Sequence, residues 1–390
     1  MTRTADVVIV GGGVTGASIA FQLASRGVRR IVVLERRFLA SGGTGRSVGI
    51  IRQLYPTLES TQMVRRSLEV FQRFDETIGG SAGFVSCGAL IGVAPAMRAT
   101  LEKTLALQTS VGVRAEILDP ADVARVEPRI DTRDLGAVLW EPESGYGDPS
   151  GVTIAYAHAA RRLGVSIEQD SEVVRIDTSG DRVTGVVTRD GVTISTPVVV
   201  NAAGLWAPAV ARLAGVELPI VVGRHPVFVI ERTAAFGAPH PVYLDLAGGS
   251  YVRPESGGLT LTGSLTDDEA RHPMDPELLG ADVSMDEAIP VLERTGRAVP
   301  NLADASYRRG WAGAFDITPD WMPILDRTGV DGFYVAAGMS GHGFKLAPAV
   351  GEMMAALVTR SETPVSLTPF RLARFRERAV SGTFVASYLG

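Results

Sequence analysis

The fold is decided by the stretch Val7-Val8-Ile9-Val10-Gly11-Gly12-Gly13-Val14-Thr15-Gly16, in which a short apolar run leads into spaced glycines. The glycines match the GxGxxG pattern of a dinucleotide-binding βαβ unit. In that pattern Gly11 permits a tight turn, Gly13 lets the backbone approach a pyrophosphate, and Gly16 lets the helix pack close to the strand. The N–H groups that begin the helix then face the phosphates. The alternative is a glycine-rich turn in an unrelated α/β protein.

The flanking residues supply the context that this motif requires. Periodicity predicts a strand over residues 6–10, a helix over 15–25 and a second strand over 30–34. Glu35 follows the second strand, where a carboxylate can accept hydrogen bonds from a ribose diol and disfavours a 2′-phosphate. We therefore predict a dinucleotide site, although this motif alone leaves NAD and FAD open.

The rest of the 390-residue chain alternates between two kinds of pattern. Signals of the nucleotide-binding type occupy residues 1–82, 147–217 and 322–390, which we assign to one domain. Short β-type runs that resemble an antiparallel sheet occupy residues 83–146 and 218–321, which we assign to a second domain. The pair Asp190-Gly191 predicts a hairpin in the first domain. An NAD dehydrogenase would keep its nucleotide fold in one block, so the interruptions favour FAD.

Composition and charge exclude several classes of protein. The net charge of -5 arises from interspersed acidic and basic residues, so the sequence shows no cluster of basic residues that would bind nucleic acid. Cys87 is the single cysteine, which excludes an internal disulfide and a cysteine-rich metal site and agrees with a reducing compartment. The first apolar run is too short for a signal peptide or a membrane span. We expect a cytoplasmic protein with no metal site and no membrane span.

Three further segments complete a set of motifs. They are Thr44-Gly45-Arg46-Ser47-Val48-Gly49-Ile50-Ile51-Arg52, Asn201-Ala202-Ala203-Gly204-Leu205-Trp206-Ala207 and Gly338-Met339-Ser340-Gly341-His342-Gly343-Phe344-Lys345. Over almost the whole chain the set resembles the D-amino-acid oxidase superfamily of flavoproteins, nearest to sarcosine oxidases, monomeric or heterotetrameric β subunits, and to L-proline dehydrogenases. The resemblance implies an α/β fold. A Rossmann-like FAD-binding domain is interleaved with a substrate domain on a mixed, largely antiparallel β-sheet.

The resemblance also implies a carboxylate clamp. Arg52 and Lys345 match the cations that hold the substrate carboxylate over the flavin, and charge-assisted hydrogen bonds of about 1.5–3 kcal/mol suit a small amino acid. Lys345 is one of only two lysines, and we place it in a loop before a helix over residues 347–358. The FAD contacts that we predict are Gly11, Gly13, Val14, Thr15, Gly16, Glu35, Arg36, Ser41, Thr44, Gly45, Arg46, Ser47, Gly49, Ile50, Val174, Ala202, Gly204, Trp206, Gly338, Gly341, His342, Gly343, Phe344 and Lys345.

Ring residues and histidines complete the implied site. Tyr251 and Phe315 fall where the relatives place aromatic residues near the substrate, and such rings could exclude water. His342 and His225 could tune proton transfer. The alternatives are a core role for the two aromatic residues and a structural role for each histidine.

Departures from the family pattern sharpen the expectations. Monomeric sarcosine oxidases attach FAD to a cysteine before the run Thr318-Pro319-Asp320, and this chain has none there, so we predict noncovalent FAD. Gly147 replaces the histidine that binds a second flavin, FMN, in heterotetrameric β subunits, so FMN is not expected. Thr260 aligns with a lysine that promotes the reaction with oxygen, which suggests slow oxygen reactivity.

Taken together, the resemblance implies an FAD-dependent oxidoreductase that oxidises the C–N bond of a small secondary or N-methylated amino acid by hydride transfer to flavin N5. The alternatives within the fold are a D-amino-acid dehydrogenase, a glycine oxidase and a 2-hydroxyacid dehydrogenase. A noncatalytic or assembly flavoprotein subunit is another, because the fold does not guarantee the reaction. The expected partners are the amino-acid or amine substrate, an electron acceptor that is O2 or a carrier, and copies of this chain or partner subunits.

Overall fold

The computed structural model describes residues 3–266, 273–377 and 382. The strands are β1 Arg3–Thr4, β2 Val7–Val10, β3 Ile31–Leu34, β4 Ile50–Ile51, β5 Ala89–Val93, β6 Glu116–Leu118, β7 Ala137–Glu141, β8 Gly145–Tyr146, β9 Ser166–Glu168, β10 Val173–Ser179, β11 Arg182–Thr188, β12 Thr193–Ser195, β13 Val199–Asn201, β14 Val221–Glu231, β15 Val242–Asp245, β16 Ser250–Pro254, β17 Leu259–Ser264, β18 Ser306–Ile317, β19 Ile324–Arg327 and β20 Phe333–Ala337. The helices are α1 Val14–Ser25, α2 Leu58–Gln72, α3 Phe74–Thr77, α4 Arg98–Ser110, α5 Pro149–Arg162, α6 Ala207–Arg212, α7 Met285–Ala298, α8 Gly343–Val358 and α9 Arg374–Glu377. Among these described helices, none is both long and apolar enough to cross a membrane.

Strand β2 lies inside a six-stranded sheet of order β19-β20-β13-β2-β3-β9. Its neighbours β13 and β3 run parallel to it, and the edge pair β19 and β20 is antiparallel. Both faces of the sheet are buried, one by helices α1 and α8 and the other by α6 and β11, which explains the continuous apolar runs. Parallel pairing brings the carboxyl ends of β13, β2 and β3 to one edge, where a dinucleotide binds in folds of this type.

The second large sheet has eight strands in the order β18-β14-β17-β16-β15-β5-β7-β6. Its pairs are antiparallel except for β15 and β5, which are parallel. Its strands come from two separate stretches of chain, residues 89–141 and 221–317. The predicted α/β fold with a mixed, largely antiparallel second sheet is therefore confirmed.

Two smaller sheets complete the architecture. One has the order β1-β12-β11-β10, and its β11–β12 hairpin turns at the predicted Asp190-Gly191 pair, where Gly191 has a φ of 85°. The other pairs β4 with β8, in the register Ile50 to Tyr146 and Ile51 to Gly145. This short pair joins the chain just before Arg52 to the segment that follows β7 of the eight-stranded sheet.

Several predicted elements differ from the structure. The sequence predicts one polar helix from about residue 59 to residue 78, but the structure divides it at Arg73 into α2 and α3, because Arg73 departs from helical geometry. Helix α8 begins at Gly343 rather than at residue 347. Lys345 therefore lies in the first turn of α8 and not in the loop before it. A proline is favoured in a first turn, so Pro348 is more typical of a later start than the one observed.

Candidate active site

A cavity of about 460 Å³ lies between the edge of the six-stranded sheet and the face of the eight-stranded sheet. It runs from Glu35 and Arg36 at one end to Arg52 and Lys345 at the other. Most of the residues selected from the sequence line it. They are Gly11, Gly13, Val14, Thr15, Glu35, Arg36, Ser41, Thr44, Arg46, Ser47, Ile50, Arg52, Val174, Ala202, Gly204, Trp206, Tyr251, Phe315, Gly341, Gly343, Phe344 and Lys345.

The glycine turn after β2 fits a pyrophosphate. Gly11 has a φ of 114°, and a Cβ there would overlap the carbonyl of Ala202 on the neighbouring strand. A side chain at this position would therefore be strained and would also collide with the backbone that follows β13. The N–H of Val14, in the first turn of α1, donates to Thr44 Oγ1 at 3.2 Å. The start of α1 and the loop with Thr44 are therefore in direct contact, and both line the cavity.

Glu35 has the position expected for a ribose ligand at the end of β3. Its side chain is buried, and Oε2 accepts the N–H of Gly12 at 2.7 Å. Oε1 accepts the N–H of Arg37 at 2.9 Å and the hydroxyl of Ser41 at 3.2 Å. These donors fix the carboxylate beside the glycine turn, so the adenosine half of FAD fits this end of the cavity.

Five predicted FAD contacts do not line the cavity, and their contact with FAD stays a prediction. Four are glycines that allow close backbone packing: a Cβ would meet the carbonyl of Gly11 at Gly16, of Ala40 at Gly45 and of Gly147 at Gly49, and the side chain of Thr318 at Gly338. The fifth is His342. At these four glycines the close neighbours are protein atoms, so the lack of a side chain serves backbone packing there.

The two cations of the predicted clamp are both buried at the far end of the cavity. Arg52 donates to the carbonyl of Leu54 and lies over the ring of Tyr55, 4.9 Å from its centroid. Lys345 Nζ is 3.4 Å from the carbonyl oxygen of Gly341. Burial, together with the nearby charge of Arg52, holds the pKa of Lys345 well below its usual value. An anion bound between these two side chains would offset both the burial and the mutual repulsion, so the pair suits a carboxylate ligand.

His342 belongs to the support of this clamp and not to the cavity wall. Its Nδ1 is 3.4 Å from Arg52 Nη2, and its ring packs at 5.3 Å from the ring of Tyr55. Burial, followed by the charges of Lys345 and Arg52, lowers the pKa of His342 far below its usual value. The ring is therefore neutral and is placed to orient Arg52.

An aromatic wall stands on the eight-stranded sheet and consists of His225, Tyr251 and Phe315, which all line the cavity. The ring of His225 stacks on Phe315 at 4.2 Å between centroids and lies 6.0 Å from Tyr251. Its Nε2 is 3.4 Å from the Tyr251 hydroxyl. Burial lowers the pKa of His225 to about 4, so its ring adds no charge at neutral pH.

Asp316 was not selected from the sequence, although it lines the cavity next to Phe315. Its Oδ2 accepts the N–H of Gly338 at 2.9 Å, and its carbonyl accepts the N–H of Ser340 at 3.1 Å. Burial raises the pKa of Asp316 to about 6, while its bonds from backbone N–H groups oppose that rise. A carboxylate directly after Phe315, four residues before Asp320, was the available signal for this position.

Thr260, on which the expectation of slow oxygen reactivity depends, does not line the cavity. Its Oγ1 is 2.9 Å from His240 Nε2 and 3.0 Å from Arg232 Nη1. Slow oxygen reactivity stays a prediction. Cys87 also lies outside the cavity, and the described residues contain no cluster of histidine, cysteine, aspartate and glutamate that could hold a metal.

Known proteins share this chain's sequence and fold. Sarcosine oxidase subunit beta from Arthrobacter sp is 30% identical over 383 residues, covering 96% of this chain and 91% of that protein. Mitochondrial sarcosine dehydrogenase from Homo sapiens is 28% identical, covering 96% of this chain and 42% of that protein. The chain thus spans less than half the length of such curated relatives. The crystal structure of L-proline dehydrogenase from P. horikoshii superposes with a TM-score of 0.87 at 28% identity, over 97% of this chain and 99% of that one.

A family model gives the assignment. Its description is DAO, FAD dependent oxidoreductase, and it matches residues 6–357. The matched range includes the glycine turn after β2, both cations of the clamp and the aromatic wall. Since this range covers most of the chain, the protein belongs to the DAO family of FAD-dependent oxidoreductases.

Proposed function

We propose that the protein oxidises the C–N bond of a small secondary or N-methylated amino acid, such as sarcosine or proline, to an imine that water hydrolyses. The observation that carries the proposal is the pair of buried cations, Arg52 and Lys345, at the same end of the cavity as the aromatic wall. The names of the relatives support this substrate class. When bound, FAD supplies the hydride acceptor at N5.

The chain's own residues have separate tasks in this proposal. Arg52 and Lys345 bind the substrate carboxylate, which fixes the orientation of a ligand too small to be held by apolar contact. Tyr251 and Phe315 cover the reacting end and exclude water. The neutral ring of His225 stacks behind them, so the wall carries no positive charge that would repel the substrate amine.

Three further proposals concern the cofactor, the domains and the surroundings. We propose that FAD is held noncovalently, since the one cysteine lies away from the cavity, and that acid precipitation will release yellow flavin into the supernatant. We propose the two domains with the boundaries given above. We propose that the electron acceptor is O2 or a carrier. We also propose that the chain associates with copies of itself or with partner subunits, and that it is located in the cytoplasm.

An anaerobic substrate panel tests the activity. Sarcosine, N-methylated amino acids and L-proline should bleach the flavin band near 450 nm, whereas glycine, D-amino acids and 2-hydroxyacids should bleach it much more slowly. Faster bleaching by one of these last three would replace the proposal with a glycine oxidase, a D-amino-acid dehydrogenase or a 2-hydroxyacid dehydrogenase. Absence of bleaching by every compound would favour the noncatalytic subunit.

A matched pair of variants tests the clamp. Lys345→Met should lower the second-order rate of bleaching by roughly 10- to 100-fold, because one charge-assisted hydrogen bond to the carboxylate is lost. The control is Lys103→Met, since Lys103 is the other lysine and lies exposed on α4. Equal rates in the two variants would show that Lys345 does not bind the substrate.

A further inference from the structure

Glu277 brings the substrate side of the molecule into contact with the dinucleotide side. It lies in a 3₁₀ turn, Pro276–Leu278, that follows the eight-stranded sheet's strand β17 in the chain. Its Oε1 accepts from Trp206 Nε1 at 2.7 Å, and its Oε2 accepts from Arg36 Nη2 at 3.0 Å and from Arg37 Nη2 at 3.3 Å. One carboxylate thus joins the adjacent residues Arg36 and Arg37 to Trp206, which is distant from them in sequence.

The residues that Glu277 joins stand on opposite sides of the glycine turn. Arg36 follows β3 and Trp206 follows β13, and these strands flank β2 on its two sides. Both side chains line the cofactor cavity, whereas Glu277 itself does not. The Arg36 guanidinium also lies over the Trp206 ring, 4.8 Å from its centroid. Glu277 therefore connects Arg36 and Trp206 from outside the cavity, at the end where we place the adenosine half of FAD.

The turn that presents Glu277 is fastened to the sheet at both ends. Before the turn, the N–H of Met274 donates to the carbonyl of Val222 on β14 at 2.9 Å. After it, the N–H of Gly280 donates to the carbonyl of Ala312 on β18 at 2.8 Å. Within the turn, Asp275 Oδ1 accepts the N–H of Glu277 at 2.9 Å. The turn that carries the Glu277 carboxylate is therefore held in place by hydrogen bonds to β14 and β18.

The charges around Glu277 favour its ionised form. Hydrogen bonding from Arg36 is the main cause that lowers the pKa of Glu277, and Trp206 and Arg37 act in the same direction. The Glu277 side chain is 44% exposed, so salt will screen these contacts.

We propose that Glu277 is a clasp that slows the escape of noncovalently held FAD by joining Arg36 and Trp206 over the adenosine end of the cavity. The clasp depends on FAD occupying this cavity and not on which substrate is oxidised. In this proposal FAD leaves only when Arg36 and Trp206 separate, and the carboxylate of Glu277 holds these two side chains together. Glu277 is thus a positioning residue for the cofactor.

The test is the rate at which holoenzyme releases FAD after dilution, followed by the rise in flavin fluorescence. Glu277→Gln should release FAD roughly fivefold faster than the wild type at low ionic strength, which is the size expected for a partly exposed, multiply bonded carboxylate. At about 1 M NaCl the two rates should converge, because the Debye length falls to about 3 Å. A purely structural role would not produce this salt dependence.

Two companion variants make the result decisive. Glu76→Gln removes another exposed carboxylate paired with an arginine, far from the cavity lining, and should release FAD like the wild type. Glu277→Asp keeps the charge but shortens the side chain, and it should give an intermediate rate. Unchanged release in Glu277→Gln would overturn the clasp. Slower release would also overturn it, since Glu277 would then compete with the FAD phosphates for Arg36.

Discussion

Lys345 shows how burial tunes a single side chain. The cation lies beside Arg52, and both effects that lower its pKa, desolvation and like charge, are relieved when a carboxylate enters. We therefore expect a carboxylate that binds here to raise the pKa of Lys345, because its negative charge offsets both effects.

We expect the affinity for a simple carboxylate such as propanoate to fall as pH rises. Lys345 is charged below its lowered pKa and loses its proton above it, so the dissociation constant should increase about tenfold per pH unit above that pKa. Flavin absorbance changes report the binding. Lys345→Arg should flatten the profile because arginine stays protonated. A wild-type profile as flat as that of Lys345→Arg would contradict this prediction.

The buried carboxyl group of Asp316 predicts that the stability of the protein depends on pH. Its pKa is raised from 3.8 to about 6 in the folded protein, so between these pH values the folded state binds more protons than the unfolded state. The free energy of unfolding contributed by this group should therefore fall as pH rises from about 4 to about 6, by about 3 kcal/mol in total, and then level off.

Urea unfolding of FAD-saturated Asp316→Asn measures this contribution. The difference in unfolding free energy between the variant and the wild type should change across this pH window, because an asparagine side chain does not titrate. Asp75→Asn, at an exposed position on α3, is the control and should leave a constant difference. A constant difference for Asp316→Asn as well would show that this carboxyl ionises normally.

Residue types and spacing predicted much of the candidate site, but not which of its side chains are buried. Gly11, Glu35, Arg52 and Lys345 stand in motifs, and all four line the cavity. Asp316 could not be ranked above other acids, because its raised pKa arises from burial that the fold creates. His342 was placed among the contacts since it stands between motif glycines, whereas its Nδ1 is 3.4 Å from Arg52 Nη2 and its side chain does not line the cavity.

At the level of elements, one corner of the second sheet holds Arg52 from both sides. Before Arg52, β4 pairs with β8, and after it the N–H of Gln53 donates to Glu141 Oε2 at 2.8 Å. Glu141, the last residue of β7, is fully buried and also accepts from Ser144 Oγ at 2.7 Å and Gln108 Nε2 at 2.8 Å. The corner over residues 141–146 thereby fixes the chain on both sides of Arg52, which lines the cavity.

Glu141→Ala should lower the free energy of unfolding by about 3 kcal/mol, because it leaves the Gln53 N–H and the Gln108 amide buried without their acceptor. Glu141→Gln keeps an acceptor oxygen and should cost less than half as much. Urea melts of both variants measure the losses. If Glu141→Ala lay within about 0.5 kcal/mol of the wild type, the corner would not depend on this carboxylate.

The elements that the sequence did not predict are those that depend on distant partners. Strand β18 contains Gly310 and Gly313 and two adjacent arginines, a weak strand signal, yet it pairs with β14 along almost its whole length. Helix α7 contains Pro290, which is typical of a helix break. Its capping box between Ser284 and Glu287 was the sequence signal that marks its start.

At the scale of the whole molecule, the cavity belongs to both large sheets, so FAD should stabilise the entire chain. A ligand that binds only the folded state at about 100 times its dissociation constant adds about 2.7 kcal/mol to the free energy of unfolding. ADP resembles only the half of FAD that fits beside Glu35. We therefore expect ADP to raise the melting temperature of the apoprotein less than FAD does.

Two glycine variants separate this cofactor effect from ordinary backbone strain. Gly11 and Gly27 both have a positive φ, 114° and 84°, so alanine should destabilise the apoprotein by about 1 kcal/mol or more at either position. A Cβ at Gly27 meets open space, whereas at Gly11 it overlaps Ala202 in the cavity wall. Gly27→Ala should thus keep the full FAD-dependent rise in melting temperature, and Gly11→Ala should lose it. Equal rises in both variants would mean that the pyrophosphate does not approach Gly11, and the cofactor would have to lie elsewhere in the cavity.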